Sequence, residues 1–482
     1  MTIKIEGGTV IGFDGEKHRI IRDGVAVFDE EQIIHVGKSY RGEVGETVDA
    51  RGKIVTPGFI NTHCHAHTPL SPHHLTVDIP LNPYYQHAGI GMHIARRGAT
   101  REPRTEEESS KIKKLSLVKR LLSGTTTYVE VGGGDEELVR LTDEIGIRGY
   151  IAPGYKSASW IFDEEGRFGY DWDEEKGWKG LDEAVTFIER HHGSVDDRVR
   201  GMLYPAQVDT CTPDLFEATR GKADELGVGI QTHVGQRLIE FQEIVRRHLK
   251  TPVQFLHGTG LLGPDFIAGH CIFASGHSRT SWPGHGDQRL LAETSSSIAY
   301  CPVVFTRNAV AMESFGRNMR LGVNMTIGTD NYPQDIVNEM RWASMLSKVV
   351  DFDRTSASSA ETFNAVTLNA SKALRRTDIG RLQKGAKPDI VILDLQTTRI
   401  APVYDPIKSM VNAATGDNVK RVYCDGKLLV DQGRVLGVDE TKLLVEVQEI
   451  ADNDWRRVSD WDYAERKLGE YAPLSYEEWE PE

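Results

Sequence analysis

The pattern of hydrophobic and polar positions divides the chain into a β-rich start, an alternating middle and a second β-rich segment. Residues 1–55 show short stretches in which apolar and polar residues alternate, separated by Gly and Asp turns. This pattern predicts strands without helices. The same alternation of apolar and polar residues, separated by turns, occurs again near residues 386–435. We therefore predict one small β-sandwich domain built from both termini, comprising residues 1–56 and 384–436.

The middle of the chain alternates apolar strands with helix-like segments. Eight strand candidates share a nearly continuous apolar character: 54–65, 125–132, 148–154, 199–209, 228–235, 265–274, 296–305 and 323–330. Eight β–α units in series predict an α/β fold, a (β/α)8 TIM barrel over residues 57–383. An open, doubly wound sheet is the structural alternative.

Two further segments complete the predicted organisation. Residues 66–112 form an insertion after the first strand, which would lie over the mouth of a barrel as a substrate lid. Residues 437–482 predict a helical tail that packs on a neighbour or on its own barrel. The lid carries a set of apolar side chains that suit either an apolar substrate or ordinary loop packing: Leu70, Leu75, Ile79, Tyr84 and Tyr85.

Composition narrows the class of protein. The chain has 482 residues and a formal net charge of −14, from 71 acidic and 57 basic residues, which disfavours nucleic acids as partners. The five cysteines are scattered and odd in number, which favours a reducing cytoplasm over a disulfide framework. The start lacks the apolar core of a signal peptide, and no apolar stretch reaches about 18 residues. We expect a cytoplasmic enzyme that uses a small-molecule substrate, with no membrane partner.

Histidines and one aspartate stand at the ends of four predicted strands. His63 and His65 follow the first strand at a spacing that directs both side chains to one face. His233, His270 and Asp330 end the fifth, sixth and eighth strands. Barrel active sites form at these strand ends.

Each of these residues alone suits a hydrogen-bonded core position, but the set of five indicates a shared site. A buried cluster of imidazoles and a carboxylate is costly unless a divalent metal organises it. Three more imidazoles near the mouth, at His67, His73 and His74, more often serve structural or solvent-facing roles than metal binding.

With these motifs in family order, the chain resembles the amidohydrolase superfamily. The resemblance rests on PGFINTHCH, QTHVG, AGHC, GTD and the run GRLQKGAKPDIVILDL, and it covers nearly the whole length. The nearest branch is similar to the cytosine deaminases and triazine hydrolases, with phenylurea and molinate hydrolases as related candidates.

The resemblance implies one divalent metal and two catalytic side chains. The metal ligands would be His63, His65, His233 and Asp330, with zinc most expected and iron, cobalt or manganese as alternatives. Asp330 would transfer protons, and His270 would bind the substrate or the attacking water. Family habit also implies a homo-oligomer.

Two positions depart from patterns found in the superfamily. Binuclear members use a lysine on strand four, but the segment GMLYPAQVD has none, and Lys156 follows strand three instead. We therefore expect a single metal ion. Deaminases of the similar branch carry a glutamate three residues after the strand-five histidine, where this chain has Gln236. Glutamine cannot transfer protons at neutral pH.

These observations favour hydrolysis of a non-peptide C–N bond in an amide, urea or (thio)carbamate, such as a phenylurea-type xenobiotic. The alternative is an aminohydrolase or chlorohydrolase that acts on a purine, pyrimidine or s-triazine ring. A catalytically inactive scaffold is disfavoured because all ligand positions are kept, and a phosphate-binding enzyme because no P-loop motif occurs. We take Gln236, Lys156 and His277 as candidates for binding the substrate.

Overall fold

The computed structural model describes residues 1–67, 75–79, 94–99 and 102–479. The strands are β1 (Ile3–Phe13), β2 (His18–Phe28), β3 (Ile33–Gly37), β4 (Glu46–Asp49), β5 (Lys53–Pro57), β6 (Phe59–Cys64), β7 (Thr125–Val131), β8 (Arg148–Ala152), β9 (Gly154–Tyr155), β10 (Ala158–Phe162), β11 (Phe168–Trp172), β12 (Val199–Gly201), β13 (Tyr204–Pro205), β14 (Ile230–Val234), β15 (Phe266–His270), β16 (Ser297–Tyr300), β17 (Asn324–Ile327), β18 (Ile390–Asp394), β19 (Val419–Cys424), β20 (Lys427–Asp431) and β21 (Arg434–Val435).

Helices follow most of the strands in the middle of the chain. They are α1 (Glu106–Leu122), α2 (Glu136–Ile145), α3 (Glu174–His191), α4 (Pro213–Leu226), α5 (Leu238–His248), α6 (Pro252–Gly258), α7 (Gly286–Glu293), α8 (Pro302–Thr306), α9 (Phe315–Arg320), α10 (Ile336–Asp351), α11 (Ser359–Ala365), α12 (Leu368–Ala373), α13 (Pro406–Ala413), α14 (Glu440–Arg456) and α15 (Leu468–Tyr471). A four-residue helical turn, Ser194–Asp197, precedes β12, and 3-10 turns span Gly416–Asn418 and Val458–Asp460.

Strands from both ends of the chain join in one sheet. The nine-stranded sheet has the order β21-β20-β19-β18-β5-β1-β2-β3, with β4 paired to β1. Its N-terminal and C-terminal parts meet where β18 runs antiparallel to β5. Apolar side chains from both parts, including Ile5, Phe28, Ile390 and Tyr423, share one buried cluster. The sandwich arrangement and the division into domains stay predictions.

The middle strands pair in parallel and return to their starting point. Hydrogen bonds connect β6 to β7, β7 to β8 and β8 to β12, and a second series connects β14, β15, β16 and β17. A parallel bridge between Leu203 and Ile230 links the two series, and another between Cys64 and Asp330 links the last strand to the first. This circular pairing is what a (β/α)8 barrel requires.

Gly58 divides the predicted first strand, 54–65, between the two sheets. Residues before it belong to β5 in the nine-stranded sheet, and residues after it belong to β6 in the ring. A Cβ atom at Gly58 would lie 2.1 Å from Thr126 Oγ1, so only glycine allows this close approach. The turn thereby aims the HxH motif into the ring.

The predicted strand 296–305 is also shorter in the structure. β16 ends at Tyr300, and α8 begins at Pro302, because proline suits the first turn of a helix. Cys301 therefore stands at a strand end rather than inside a strand.

Helix α14, in the C-terminal tail, packs against α1. All five cysteines are unpaired, buried thiols. Within the part of the chain that the structure describes, no helix combines the length and the apolar character needed to cross a membrane.

Candidate metal centre

Three imidazoles converge at the carboxyl ends of the ring strands. His63 lies near the end of β6, His65 directly follows that strand, and His233 lies in β14. The Nε2 atoms of His63 and His233 are 3.2 Å apart. One donor atom from each of the three residues lies within 4.8 Å of the others.

The second nitrogen of each imidazole is held by a neighbouring group. His63 Nδ1 lies 2.5 Å from Gln231 Oε1, and His65 Nδ1 lies 2.7 Å from the Val131 carbonyl oxygen. Both of these oxygens can only accept a hydrogen bond. Nδ1 is therefore the donor in His63 and His65, and Nε2 carries the lone pair. His233 Nδ1 lies 2.8 Å from the Tyr204 hydroxyl.

Burial keeps these imidazoles neutral. It lowers the pKa of His63 to about 4, with His65 adding a like-charge effect. Burial likewise lowers the pKa of His65, and it lowers the pKa of His233 well below its ordinary value. Neutral imidazole is the form that binds a metal.

Asp330 and His270 border the same space. Asp330 Oδ1 lies 3.7 Å from His65 Nε2, and Asp330 Oδ2 lies 3.5 Å from His270 Nε2. Both residues have left-handed backbone conformations, with φ of 54° for Asp330 and 70° for His270. Such conformations are rare outside glycine and occur at functional sites. They turn the chain sharply where each strand ends.

The residues present fit a divalent cation. The Nε2 atoms of His63 and His233, 3.2 Å apart in a buried setting, could both bind one cation, since the oxygen at His63 Nδ1 leaves the lone pair of that ring on Nε2. Ligands of a tetrahedral zinc ion, each at about 2.0–2.1 Å, lie roughly 3.3 Å apart. The second nitrogens are already bonded to oxygens, as is usual for metal-binding histidines.

Sequence reasoning missed a buried carboxylate beside the histidines. Glu130, in β7, accepts hydrogen bonds from the Ala66 amide at 2.6 Å and from His67 Nδ1 at 3.2 Å. Arg120 Nη2 lies 3.6 Å away, and both charged side chains are fully buried. Burial would raise the pKa of Glu130, but His67 and Arg120 outweigh it and hold the pKa below its ordinary value. A glutamate inside the apolar run TTTYVEV was the available signal.

Three other residues near the histidines have little or no signal in the sequence. Gln231 and Tyr204 hold His63 and His233 in orientation, and Cys301 places its thiol near His63 and His270. Gln231 lies two residues before His233, on the same face of β14, which was the only indication in the sequence.

The predicted substrate-binding residues lie in different surroundings. The side-chain oxygen of Gln236 accepts from Gln207 Nε2 at 2.9 Å. Lys156 lies between β9 and β10, where burial and the charge of Lys176 lower its pKa. These two roles stay predictions.

His277 uses both ring nitrogens in contacts with the backbone. Nε2 donates to the Ala311 carbonyl at 3.0 Å, and Nδ1 accepts from the Arg279 amide at 3.1 Å. A role in substrate binding would have to replace one of these bonds, and it stays a prediction. Among the predicted lid residues, His73, His74, Leu70, Tyr84 and Tyr85 lie outside the described residues.

Known proteins resemble this chain in sequence or in fold. A 5'-deoxyadenosine deaminase of Methanothermobacter thermautotrophicus is 30% identical over 442 residues, which cover 89% of this chain and 94% of that protein. A zinc-bound adenosine deaminase from Xanthomonas campestris has a TM-score of 0.78 at 21% identity, covering 94% of this chain and 98% of its own. The zinc complex of atrazine chlorohydrolase TrzN from Arthrobacter aurescens TC1 has a TM-score of 0.78 at 22% identity, covering 93% of this chain and 100% of its own.

At such identities the two solved structures establish a common fold only. The family assignment rests on the sequence, since residues 54–429 match the amidohydrolase family model. This range includes both sets of ring strands and every converging histidine. The chain is therefore a member of the amidohydrolase family and a hydrolase that acts on C–N bonds.

Proposed function

We propose that this protein is a metal-dependent aminohydrolase that replaces an amino group on a nitrogen heterocycle with oxygen from water. The observation that carries the proposal is the convergence of His63, His65 and His233 beside Asp330 and His270. The deaminase named above supports a ring amine as the substrate more than a phenylurea. The sequence favoured an amide, urea or (thio)carbamate as the substrate, with a ring amine as the alternative. The similarity to this deaminase favours the ring amine instead.

The side chains divide the chemistry between them. A divalent cation, when bound, would lower the pKa of water and polarise the bond under attack. Asp330 can accept a proton from that water and return it to the departing nitrogen, because its two carboxylate oxygens face His65 and His270. His270 can donate a hydrogen bond to the ring atom on which charge develops.

Finer features belong to the same proposal. We infer a single cation, zinc first, with Asp330 as the fourth ligand after the three imidazoles. The ring of strands would form a closed (β/α)8 barrel over 57–383, with 1–56 and 384–436 as a composite β domain and 437–482 as a tail. A cytoplasmic location and a homo-oligomeric state remain predictions.

Gln236 supports a second candidate, hydrolysis of an amide, urea or (thio)carbamate. Its amide is engaged with Gln207 and carries no titratable proton, so this position cannot relay protons to a leaving ammonia. Asp330 would have to perform every proton transfer. Deamination of a heterocycle needs a proton on a ring nitrogen and another on the leaving amine, whereas an amide, urea or carbamate needs only the second, which suits a single proton carrier.

Product analysis distinguishes the two candidates. The zinc-loaded protein is incubated separately with 5'-deoxyadenosine, an amino-s-triazine, a chloro-s-triazine, a phenylurea and a thiocarbamate. We expect ammonia from a ring amine, with an oxo product of unchanged ring size. Release of aniline from the phenylurea, without ammonia from any heterocycle, would overturn the proposal in favour of the second candidate.

Two variants sharpen this assay. Gln236→Glu should raise ammonia release, because it supplies the missing proton carrier, and leave aniline release unchanged. His233→Ala should lose both bound zinc and turnover. A His233→Ala protein that kept full metal content and full rate would exclude the proposed centre.

A further inference from the structure

His270 is a buried imidazole with neither ring nitrogen in a hydrogen bond. Both atoms are buried, and the side chain is fully shielded from solvent. Asp330 Oδ2 lies 3.5 Å from its Nε2. Stacking on His233, with centroids 4.9 Å apart and planes at 13°, and edge contact with Phe305 fix the ring in place. Such an unpartnered buried group requires an explanation, and the binding of an ion is one.

Cys301 stands beside this imidazole. It is fully buried and directly follows β16, the ring strand that pairs with the strand of His270. One donor atom each from Cys301, His270 and His63 lies within 4.8 Å of the others. Among the residues that the structure describes, Cys301 is the one cysteine that belongs to a group of this kind.

Two donor sets therefore overlap at His63. One set consists of three imidazoles, from His63, His65 and His233, and the other of two imidazoles and a thiol. His63 Nδ1 is engaged with Gln231, so a single nitrogen remains for both sets. One nitrogen lone pair binds one cation, so the two sets are alternatives rather than a pair of simultaneous sites.

The sets differ in the metals that they favour. Imidazole accepts zinc, cobalt, iron and other borderline ions, whereas a thiolate, which also binds zinc, adds most to the affinity for softer ions such as cadmium. An ion in the second set would lie towards β16, further from His65 and His233. It would leave two imidazoles of the first set without their cation.

We propose that His63, His270 and Cys301 form a second, alternative metal site that captures soft divalent ions. On binding, the Cys301 thiol releases its proton to water, and a sulfur–metal bond replaces the S–H bond. No electron transfer is involved. The proposal concerns the donor atoms alone and does not depend on which substrate is hydrolysed.

Cadmium is the probe for this site. Metal-free protein is titrated with Cd²⁺, and sulfur-to-cadmium charge-transfer absorption is recorded. We expect the band to saturate at one equivalent in the wild type and to be absent in Cys301→Ser. Cys64→Ser is the matched control, because that neighbouring thiol donates to the Val129 carbonyl at 3.1 Å and lies in neither donor set. It should keep the band.

Affinity separates the two sets. Cys301→Ser should weaken Cd²⁺ binding by about tenfold or more while changing Zn²⁺ binding less than about threefold, since we expect zinc to occupy the set of three imidazoles, which contains no sulfur. Equal losses for both metals would assign Cys301 to a general structural role and overturn the proposal. A charge-transfer band that persists in Cys301→Ser would also overturn it.

A measurement on the wild type alone guards against a variant that fails to fold. X-ray absorption at the cadmium edge should show one sulfur neighbour, whereas the zinc edge of zinc-loaded protein should show nitrogen and oxygen only. Cadmium surrounded solely by nitrogen and oxygen would refute the second site. Because no substrate enters these experiments, their failure leaves the proposed aminohydrolase activity untouched.

Discussion

At the scale of single residues, the site depends on which nitrogen of each histidine carries the proton. Gln231 is central, because its Nε2 donates to the Thr62 carbonyl at 2.9 Å and so turns its oxygen towards His63. The amide is fully buried and has no competing solvent. The orientation of His63 therefore depends on this side chain.

Replacing Gln231 by leucine should weaken metal binding. The change removes the acceptor for His63 Nδ1–H and keeps the side chain about equally large, so we expect a loss of roughly 10–100-fold in zinc affinity. Titration against a competing chelator measures it. Gln396→Leu, at an exposed position far along the chain, is the control. Unchanged zinc affinity in Gln231→Leu would show that His63 binds the metal equally well without an acceptor for its Nδ1–H.

At the scale of elements, polar contacts join the nine-stranded sheet to the ring of strands and to the helices beside it. Arg148 on β8 bonds Asp389 and places Nη2 2.8 Å from Asp425 Oδ2, next to β18 and β19. His18 on β2 contacts Thr367 at 3.2 Å and the ring of Phe363. These contacts fix how the sheet sits against the strands that carry the histidines.

Removing Arg148 should be costly to stability. Arg148→Ala leaves the buried Asp389 carboxylate without its cation, so we expect a loss of about 3–5 kcal/mol in the free energy of unfolding. Denaturant titration measures this loss. Arg140→Ala removes exposed ion pairs to Glu137 and Glu144, and should cost no more than about 1 kcal/mol. Equal losses in the free energy of unfolding from Arg148→Ala and Arg140→Ala would contradict a special contribution of the buried pair.

His18 should make stability depend on pH. Burial, aided by the charge of Arg381, lowers the pKa of His18 from 6.5 to about 4. Between these values the unfolded chain binds a proton that the native chain does not, so the free energy of unfolding falls as the pH drops from about 6.5 to about 4. His18→Gln should make this part of the profile less steep, and His257→Gln, at an exposed position, should leave it unchanged. Identical profiles for His18→Gln and the wild type would refute the assignment.

At the scale of the whole molecule, the centre exists only because the ring closes. His63 and Asp330 are far apart in sequence, but the bridge from Cys64 to Asp330 brings the first and last ring strands together. His233 and His270 arrive on β14 and β15, which pair side by side. A cation at this point would connect several strands at once.

Metal removal should therefore lower global stability. A ligand that binds the native state alone stabilises it by mass action, so a chelator should reduce Tm and added zinc should restore it. Differential scanning calorimetry at several zinc concentrations provides the test. His65→Ala should show a smaller zinc-dependent shift. A Tm that ignores both chelator and zinc would place no cation at this centre.

The positions of most strands and of the five polar residues were predictable from the sequence. Buried parallel strands are nearly continuous apolar runs, and β7, β8, β14, β15 and β17 lie within the predicted ranges. A glutamate inside an apolar strand marks Glu130 as unusual, but the roles of Glu130, Arg120 and Tyr204 were not predictable, because they depend on contacts with residues of other elements. The predicted strand 296–305 continued past Tyr300, where β16 ends in the structure. The prediction therefore did not show that Cys301 stands at a strand end.

By itself, the sequence determined which donors could be present, because residue type and the spacing of His63 and His65 are local properties. The tertiary structure alone decided which nitrogens face inward and which thiol joins them. Those choices depend on hydrogen bonds and distances between strands, which no local pattern encodes. Gly58 illustrates this difference between local and tertiary information. The sequence shows that the residue is a glycine. The 2.1 Å approach of Thr126 Oγ1 to the position that a Cβ atom would take, which requires glycine, exists only after the two sheets have come together.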